Sequence, residues 1–144
     1  MKPRYCIIGL FTLTLLACNT GPAPIDYGED SCDFCRMHIV DQQHAAQIVT
    51  NKGKVYKYDA IECMLNDHEH NQANLVDLFL VTDYNLPGTL IDAQQATFLI
   101  SESIPSPMGE YLSSFRSAEE AIAVKETNDG EIYNWEGILS RFDN

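Results

Sequence analysis

Basic residues are scarce in this chain: nine lysines and arginines stand against 21 aspartates and glutamates, a formal net charge of −12 over 144 residues. Nucleic acid is thereby excluded as a partner, because a phosphate backbone is held by a clustered basic face. Long apolar runs are missing too. The most apolar stretch, Tyr5 to Ala17, has 13 residues and falls short of the ~20 that a membrane-spanning helix needs. No phosphate-cradling glycine loop, paired catalytic carboxylates or nucleophile triad stands out, so the chain does not read as an enzyme. Methionine is sparse: apart from the initiator there are only Met37, Met64 and Met108.

What is present begins at the N-terminus. The apolar stretch follows Lys2 and Arg4 and ends on small residues, which is the layout of a secretory signal. Leu15, Leu16, Ala17 and Cys18 resemble a bacterial lipobox, whose cysteine receives diacylglycerol and becomes the first residue of the mature chain. Residues 1–17 are then a lipoprotein signal peptide and Cys18 the lipidation site, the alternative being a plain secretory signal with an incidental cysteine. Asn19 stands where an aspartate would resemble an inner-membrane retention signal, so the expected location is the outer membrane, facing the periplasm. Loss of Lys2 and Arg4 leaves the mature chain more acidic still, which suits a tethered protein that attracts cations or a basic partner patch.

In an oxidising compartment the remaining Cys32, Cys35 and Cys63 are an odd set, so at least one thiol is free or a ligand. The stretch "DSCDFCRMHIVD", residues 30–41, brings Cys32, Cys35, Met37 and His38 together. Three readings compete for it. A structural zinc site would take Cys32, Cys35 and Cys63 with His68 or His70, and Cys-x-x-Cys is the usual knuckle spacing, but zinc leaves the methionines unexplained. A thiol-disulfide redox protein would use Cys32 and Cys35, yet a reactive pair normally opens a helix, whose dipole lowers the thiol pKa, and here the sequence that follows is β-rich. Thiolate and thioether together favour Cu(I) over harder ions. Cys35 and Met37 are two apart, so both sulfurs point to one side of an extended segment, and Met108 is presented by the turn between Pro107 and Gly109. Cu(I) on Cys35, Met37 and Met108 is therefore the reading favoured, with Cys32, Cys63 and Met64 as further candidates and a Cys32–Cys35 disulfide as a possible gate. Met64 also shares helical spacing with Ile61 and Leu65, which fits a core face.

Along the chain, residues 18–31 are polar with Gly and Pro and read as a flexible tether. "HAAQIVT" and "NKGKVYKYD" read as a hairpin, Asp59 as the cap of a helix "AIECMLNDHEH", and "LVDLFLVTDY" and "ATFLIS" as strands. "GKVYKYDAIECML" from Gly53 aligns without a gap on "GEIYNWEGILSRF" from Gly130, and "MHIVDQQHAAQIVT" pairs more loosely with "MGEYLSSFRSAEEAIAVKE", bringing Met37 opposite Met108. This predicts an α+β fold of two related ββα-containing halves, residues 32–100 and 101–144, formed by an internal repeat. Tyr58 and Trp135 read as core aromatics, Phe34 as packing the knuckle onto the core, His38 and His44 as surface residues, and His68 and His70 as a solvated helix end.

The lipobox, the Cys-x-x-Cys-x-Met knuckle, "GKVYKYDAIECM", "IDAQQATFLIS", "SPMG" and "GEIYNWEGIL" together resemble the NosL family, accessory lipoproteins of nitrous oxide reductase, over the chain from about Asp30. The resemblance implies a MerB/NosL-like fold and a periplasmic metallochaperone for Cu(I). It also implies two partners, nitrous oxide reductase, whose copper-sulfide centre is assembled, and the reductase's membrane assembly machinery. One position departs from the family pattern: Arg36 stands where the family usually has glycine.

Overall fold

A computed structural model describes residues 21–143, so the expected signal peptide and the expected lipidation site at Cys18 lie outside the described residues. The first sheet forms around β1 (Ala46–Thr50), which pairs antiparallel with β2 (Val55–Tyr58) through the predicted hairpin and, on its other edge, with β3 (Val76–Thr82). The turn is closed by Gly53 N–H donating to the Thr50 carbonyl at 2.8 Å and Lys54 N–H donating to Thr50 Oγ1 at 2.9 Å. A short β4 (Leu90–Asp92) completes the order β2-β1-β3-β4. Because β1 is central, Ala46, Gln47, Ile48 and Val49 are all buried, a continuous buried run rather than an alternation.

The second sheet is β6-β5-β7, built from β5 (Thr97–Ile100), β6 (Leu112–Phe115) and β7 (Glu131–Tyr133). Three helices accompany the sheets: α1 (Ile61–Asn66), α2 (Ala118–Asn128) and α3 (Trp135–Phe142). The sheets meet where Ser114 Oγ donates to the Thr82 carbonyl at 2.6 Å and Tyr84 N–H donates to the Ser114 carbonyl at 2.8 Å. One apolar cluster spans both: Tyr58, Ile61 and Met64 join Phe98, Leu112, Trp135 and Ile138. The Trp135 ring bridges the two sheets, 5.2 Å from Phe79 and 6.0 Å from Phe98 between centroids. Tyr58 and Trp135 are thus core aromatics, as their positions predicted.

Two expectations of organisation are corrected and a third is matched only in part. Strand β5, assigned by sequence to the first half ending at residue 100, is the middle strand of the second sheet, because its backbone pairs with β6 and β7. Residues 21–31 are not a loose tether: Gln47 Oε1 accepts from Ala23 N–H at 3.0 Å, Gln47 Nε2 donates to the Ala23 carbonyl at 2.8 Å, and Ile25 and Tyr27 pack on the core. The gapless alignment is matched only in part. It pairs Ile61 with Ile138, yet α1 begins at Ile61 and α3 three residues before Ile138, at Trp135, while the looser upstream pairing sets β1 against a stretch containing β6 and α2. A strand followed directly by a helix does recur, at β2–α1, β6–α2 and β7–α3.

Candidate metal centre

The site forms where three local structures converge. The segment Cys32–Met37 folds on itself: Cys32 N–H donates to the Met37 carbonyl at 2.8 Å and Arg36 N–H to the Cys32 carbonyl at 3.1 Å, with Ser31 and His38 bridged across its base. This knuckle is fastened to the free edge of β2. Asp33 N–H donates to the Lys57 carbonyl at 2.8 Å, Lys57 N–H donates to Asp33 Oδ2 at 2.8 Å, and Lys57 Nζ reaches Asp30 Oδ2 at 2.5 Å. Directly beyond β2 come Asp59 and then α1, whose first turn carries Cys63. The result is that one donor atom each from Cys32, Cys35, Asp59 and Cys63 lies within 4.8 Å of the others.

Cys32, Asp59 and Cys63 are buried and Cys35 is partly exposed, so the cluster has one side toward solvent. All three cysteines are free thiols. The Cys35 thiol donates to Asp59 Oδ1 at 3.3 Å, and Cys35 N–H lies 3.5 Å from the Cys32 sulfur. Hydrogen bonding splits the thiols by acidity. The Cys32 sulfur accepts from the Cys63 thiol, and further from the backbone N–H groups of Asp59 and Cys35, which outweighs its desolvation and brings its pKa down to about 6. Burial pushes Cys35 up to about 11, reinforced by the neighbouring Cys32 and Asp59, although the Met37 N–H to its sulfur opposes the rise. Cys63 is raised because its proton is given to Cys32 and because it is buried. Hydrogen bonding thus favours the thiolate at Cys32 and the protonated thiol at Cys35 and Cys63, and the cluster becomes a multidentate thiolate site as further protons leave.

The other sequence candidates fall in different places. Met37 is exposed at 46% and adjoins the cluster through its backbone; Met108 is exposed at 38%, on a turn in which Gly109 N–H donates to the Ser106 carbonyl at 3.0 Å and Gly109 takes φ 78°. Met64 has no exposure and lies beside an open pocket of about 190 Å³ whose wall mixes Leu65, Phe79 and Trp135 with His68 and Asn71, in agreement with its helical spacing. His68 and His70 are not in the cluster, so the fourth group beside the thiols is Asp59 and not histidine. His70 Nδ1 instead meets Asp67 Oδ2 at 2.8 Å and its ring stacks on Tyr56 at 3.9 Å. His44, read as a surface residue, is buried between Asp41 (3.0 Å) and Ser113 (3.2 Å). Phe34 is 43% exposed rather than packed into the core.

Asp59 is the residue that sequence reasoning misplaced. It does not cap α1: the cap position is Ala60, with no side-chain hydrogen bond, and the carboxylate faces the thiols. A signal existed in its spacing, since Asp59 precedes Cys63 by four residues, about one helical turn. Arg36 also gains a meaning. Its φ of 68° is left-handed, a conformation that favours glycine, which explains why glycine suits this position.

The fold and site define a small mixed α/β protein with two antiparallel sheets and a sulfur-rich donor cluster at a loop, strand and helix junction. Residues 23–141 match the NosL family model, and the chain belongs to the NosL family. Its fold is similar to the crystal structure of the copper chaperone NosL from Shewanella denitrificans, with a TM-score of 0.68 and 23% identity, over 81% of this chain and 94% of that one. No curated protein matches the chain.

Proposed function

We propose that this protein is a Cu(I) metallochaperone of the cell envelope, anchored by lipid on Cys18 at the outer membrane and facing the periplasm, and not an enzyme. It carries copper as cargo to the copper-sulfide centre of nitrous oxide reductase, working with the reductase's membrane assembly machinery. The observation that carries the reading is the cluster of three thiols around one partly open side. Family membership and the described copper chaperone of similar fold support it.

The chemistry of the donors suits a carrier. Thiolates select Cu(I), and hydrogen bonding favours the thiolate at Cys32, while the Cys35 thiol is oriented at the open side by its hydrogen bond to Asp59. Cys32 and Cys63 hold the ion from the buried side, Cys35 from the open side. Met37 and Met108, exposed and weaker soft donors, complete the coordination at the mouth and are the first to be exchanged for a partner's ligands.

Reduced protein is expected to bind about one Cu(I) in preference to Zn(II) when titrated against a Cu(I) chelator. Asp59 is a harder donor that would suit zinc, so retention of stoichiometric zinc with weak Cu(I) binding would overturn the copper reading. For the anchor, Cys18→Ala is expected to move the protein from the membrane fraction to the soluble or unprocessed pool. Loss of copper from nitrous oxide reductase in cells lacking this chain tests the partner.

A further inference from the structure

A buried carboxylate sits beside the thiol cluster. Glu62 lies in the first turn of α1, immediately before Cys63, and has no solvent exposure. One carboxylate oxygen accepts a hydrogen bond from Ser106 Oγ, and the other has no hydrogen-bond partner among the described residues. A carboxylate in that setting is costly, because burial removes water and only part of the hydration is replaced. Packing alone would be served better by an apolar side chain.

The partner explains the placement. Ser106 is the hub of the loop that presents Met108: its Oγ accepts from Tyr111 N–H at 2.9 Å, its carbonyl accepts from Gly109 N–H at 3.0 Å, and its hydroxyl proton goes to Glu62. Tyr111 turns out of the loop with φ 61°, and its carbonyl accepts from Ser101 N–H at 3.1 Å. Residues 106–111 thus wrap around one serine side chain, and that serine is tied to α1 at the position next to Cys63.

We propose that Glu62 is a positioning residue, whose hydrogen bond from Ser106 fastens the Met108 loop to the helical turn bearing Cys63 and so sets the thioether on the copper held by the thiols. This rests on the reading of Met108 as a copper ligand. It joins the two parts of the site that lie far apart in sequence: Glu62 and Ser106 are 44 residues apart.

The experiment measures Cu(I) affinity of the reduced mature protein by chelator competition, with apo thermal unfolding recorded beside it. Ser106→Ala, which removes the tie without emptying the core, is expected to weaken Cu(I) binding about ten-fold, the lower range for an outer-shell partner. Ser106→Thr, which keeps the hydroxyl, is expected to retain most of the affinity. In a Met108→Leu background the Ser106→Ala change should cost less than about two-fold, because the group it positions is gone. An equal loss from Ser106→Ala with and without Met108, or no loss in either, overturns the positioning role. A Met108→Leu variant with unchanged affinity overturns instead the assignment of Met108 as a ligand, and the coupling with it, while thiol-bound copper stands.

Discussion

Two of the corners at which the chain turns from strand into helix use their polar residue differently. Between β7 and α3, Asn134 is a helix cap whose side chain accepts from Gly137 N–H at 2.9 Å. Between β2 and α1, Asp59 is available for the same work, but its carboxylate receives the Cys35 thiol and the cap position falls to Ala60. The capped helix runs eight residues and the uncapped one six. A missing cap forgoes about 1 kcal/mol. The corner that holds the thiols gives up local stability for a donor arrangement, and the other corner secures the core beneath Trp135.

The contrast is broken most strongly by removing a thiol. Cys63→Ser or Cys32→Ser is expected to weaken Cu(I) binding by more than about 100-fold, beyond the range usual for outer-shell partners, whereas Asn134→Ala at the other corner should leave Cu(I) affinity within about two-fold. Chelator competition reads both. If Asn134→Ala matched the cysteine variants, copper binding would track overall stability and not the cluster.

Thiol ionisation sharpens the same corner. With Cys32 lowered to about 6 and Cys35 raised to about 11, ultraviolet thiolate absorbance of the apo protein should show one thiolate forming through pH of about 6 and the next only near pH of about 11. The stability linkage follows in sign. Cys32, depressed from an ordinary value of 9.0, contributes stability that is full above that value and lost as pH falls through about 6. Cys35, raised, contributes stability that is full below 9.0 and lost as pH rises through about 11. Cys63→Ala removes the principal donor to Cys32 and should move the first thiolate midpoint upward. An unmoved midpoint would show that the Cys63 thiol is not what acidifies Cys32.

The thioethers come next in size. Met37→Leu and Met108→Leu are each expected to weaken Cu(I) binding about ten-fold, the double variant by less than the product, and Met64→Leu hardly at all, because it conserves volume in the core. Strictly multiplicative losses would mean that the two loops do not share an ion.

What could be read from sequence, and what could not, follows the range of the interactions. The hairpin, the Cys-x-x-Cys knuckle and the core placement of Met64 rest on neighbours a few residues apart, and they are found where expected. Asp59 was legible as a helix-start residue because that preference is local; its actual partner, Cys35, is 24 positions away across an edge of β2. Strand β5 was assigned to the wrong half for the same reason, since sheet membership depends on β6 and β7, both later in the chain. Residues 21–31 have the composition of a linker, and only the buried Gln47 side chain reveals that they are held. The cluster was legible in its sulfur atoms and hidden in its oxygen.

The caps themselves offer a direct exchange. Ala60→Asp should supply the missing side-chain acceptor at α1 and stabilise the apo protein by up to about 1 kcal/mol, while Asn134→Ala should destabilise by a similar amount. Denaturant midpoints measure both. A stabilised Ala60→Asp protein with weakened Cu(I) binding would show that α1 needs its loose start to seat Cys63.

The smallest effect concerns strain at the site. Arg36 is an exposed residue with φ 68°, between Cys35 and Met37, and makes no ion pair among the described residues. A non-glycine residue in the left-handed region costs about 1–2 kcal/mol, from which the extra backbone entropy that glycine loses on folding takes back about 0.5–1 kcal/mol. Arg36→Gly is therefore expected to stabilise the apo protein by roughly 0.5–1 kcal/mol while leaving Cu(I) affinity within about two-fold. The helix α2 provides the contrast: Asp129, with φ 55° and ψ −169° at its C-terminal end, occupies a region that is essentially reserved for glycine, so Asp129→Gly should gain more. Denaturant midpoints at matched m-values decide the order. A destabilised Arg36→Gly protein would mean that the arginine side chain secures the knuckle by contacts that outweigh its backbone strain, and the site would then depend on Arg36 for its shape.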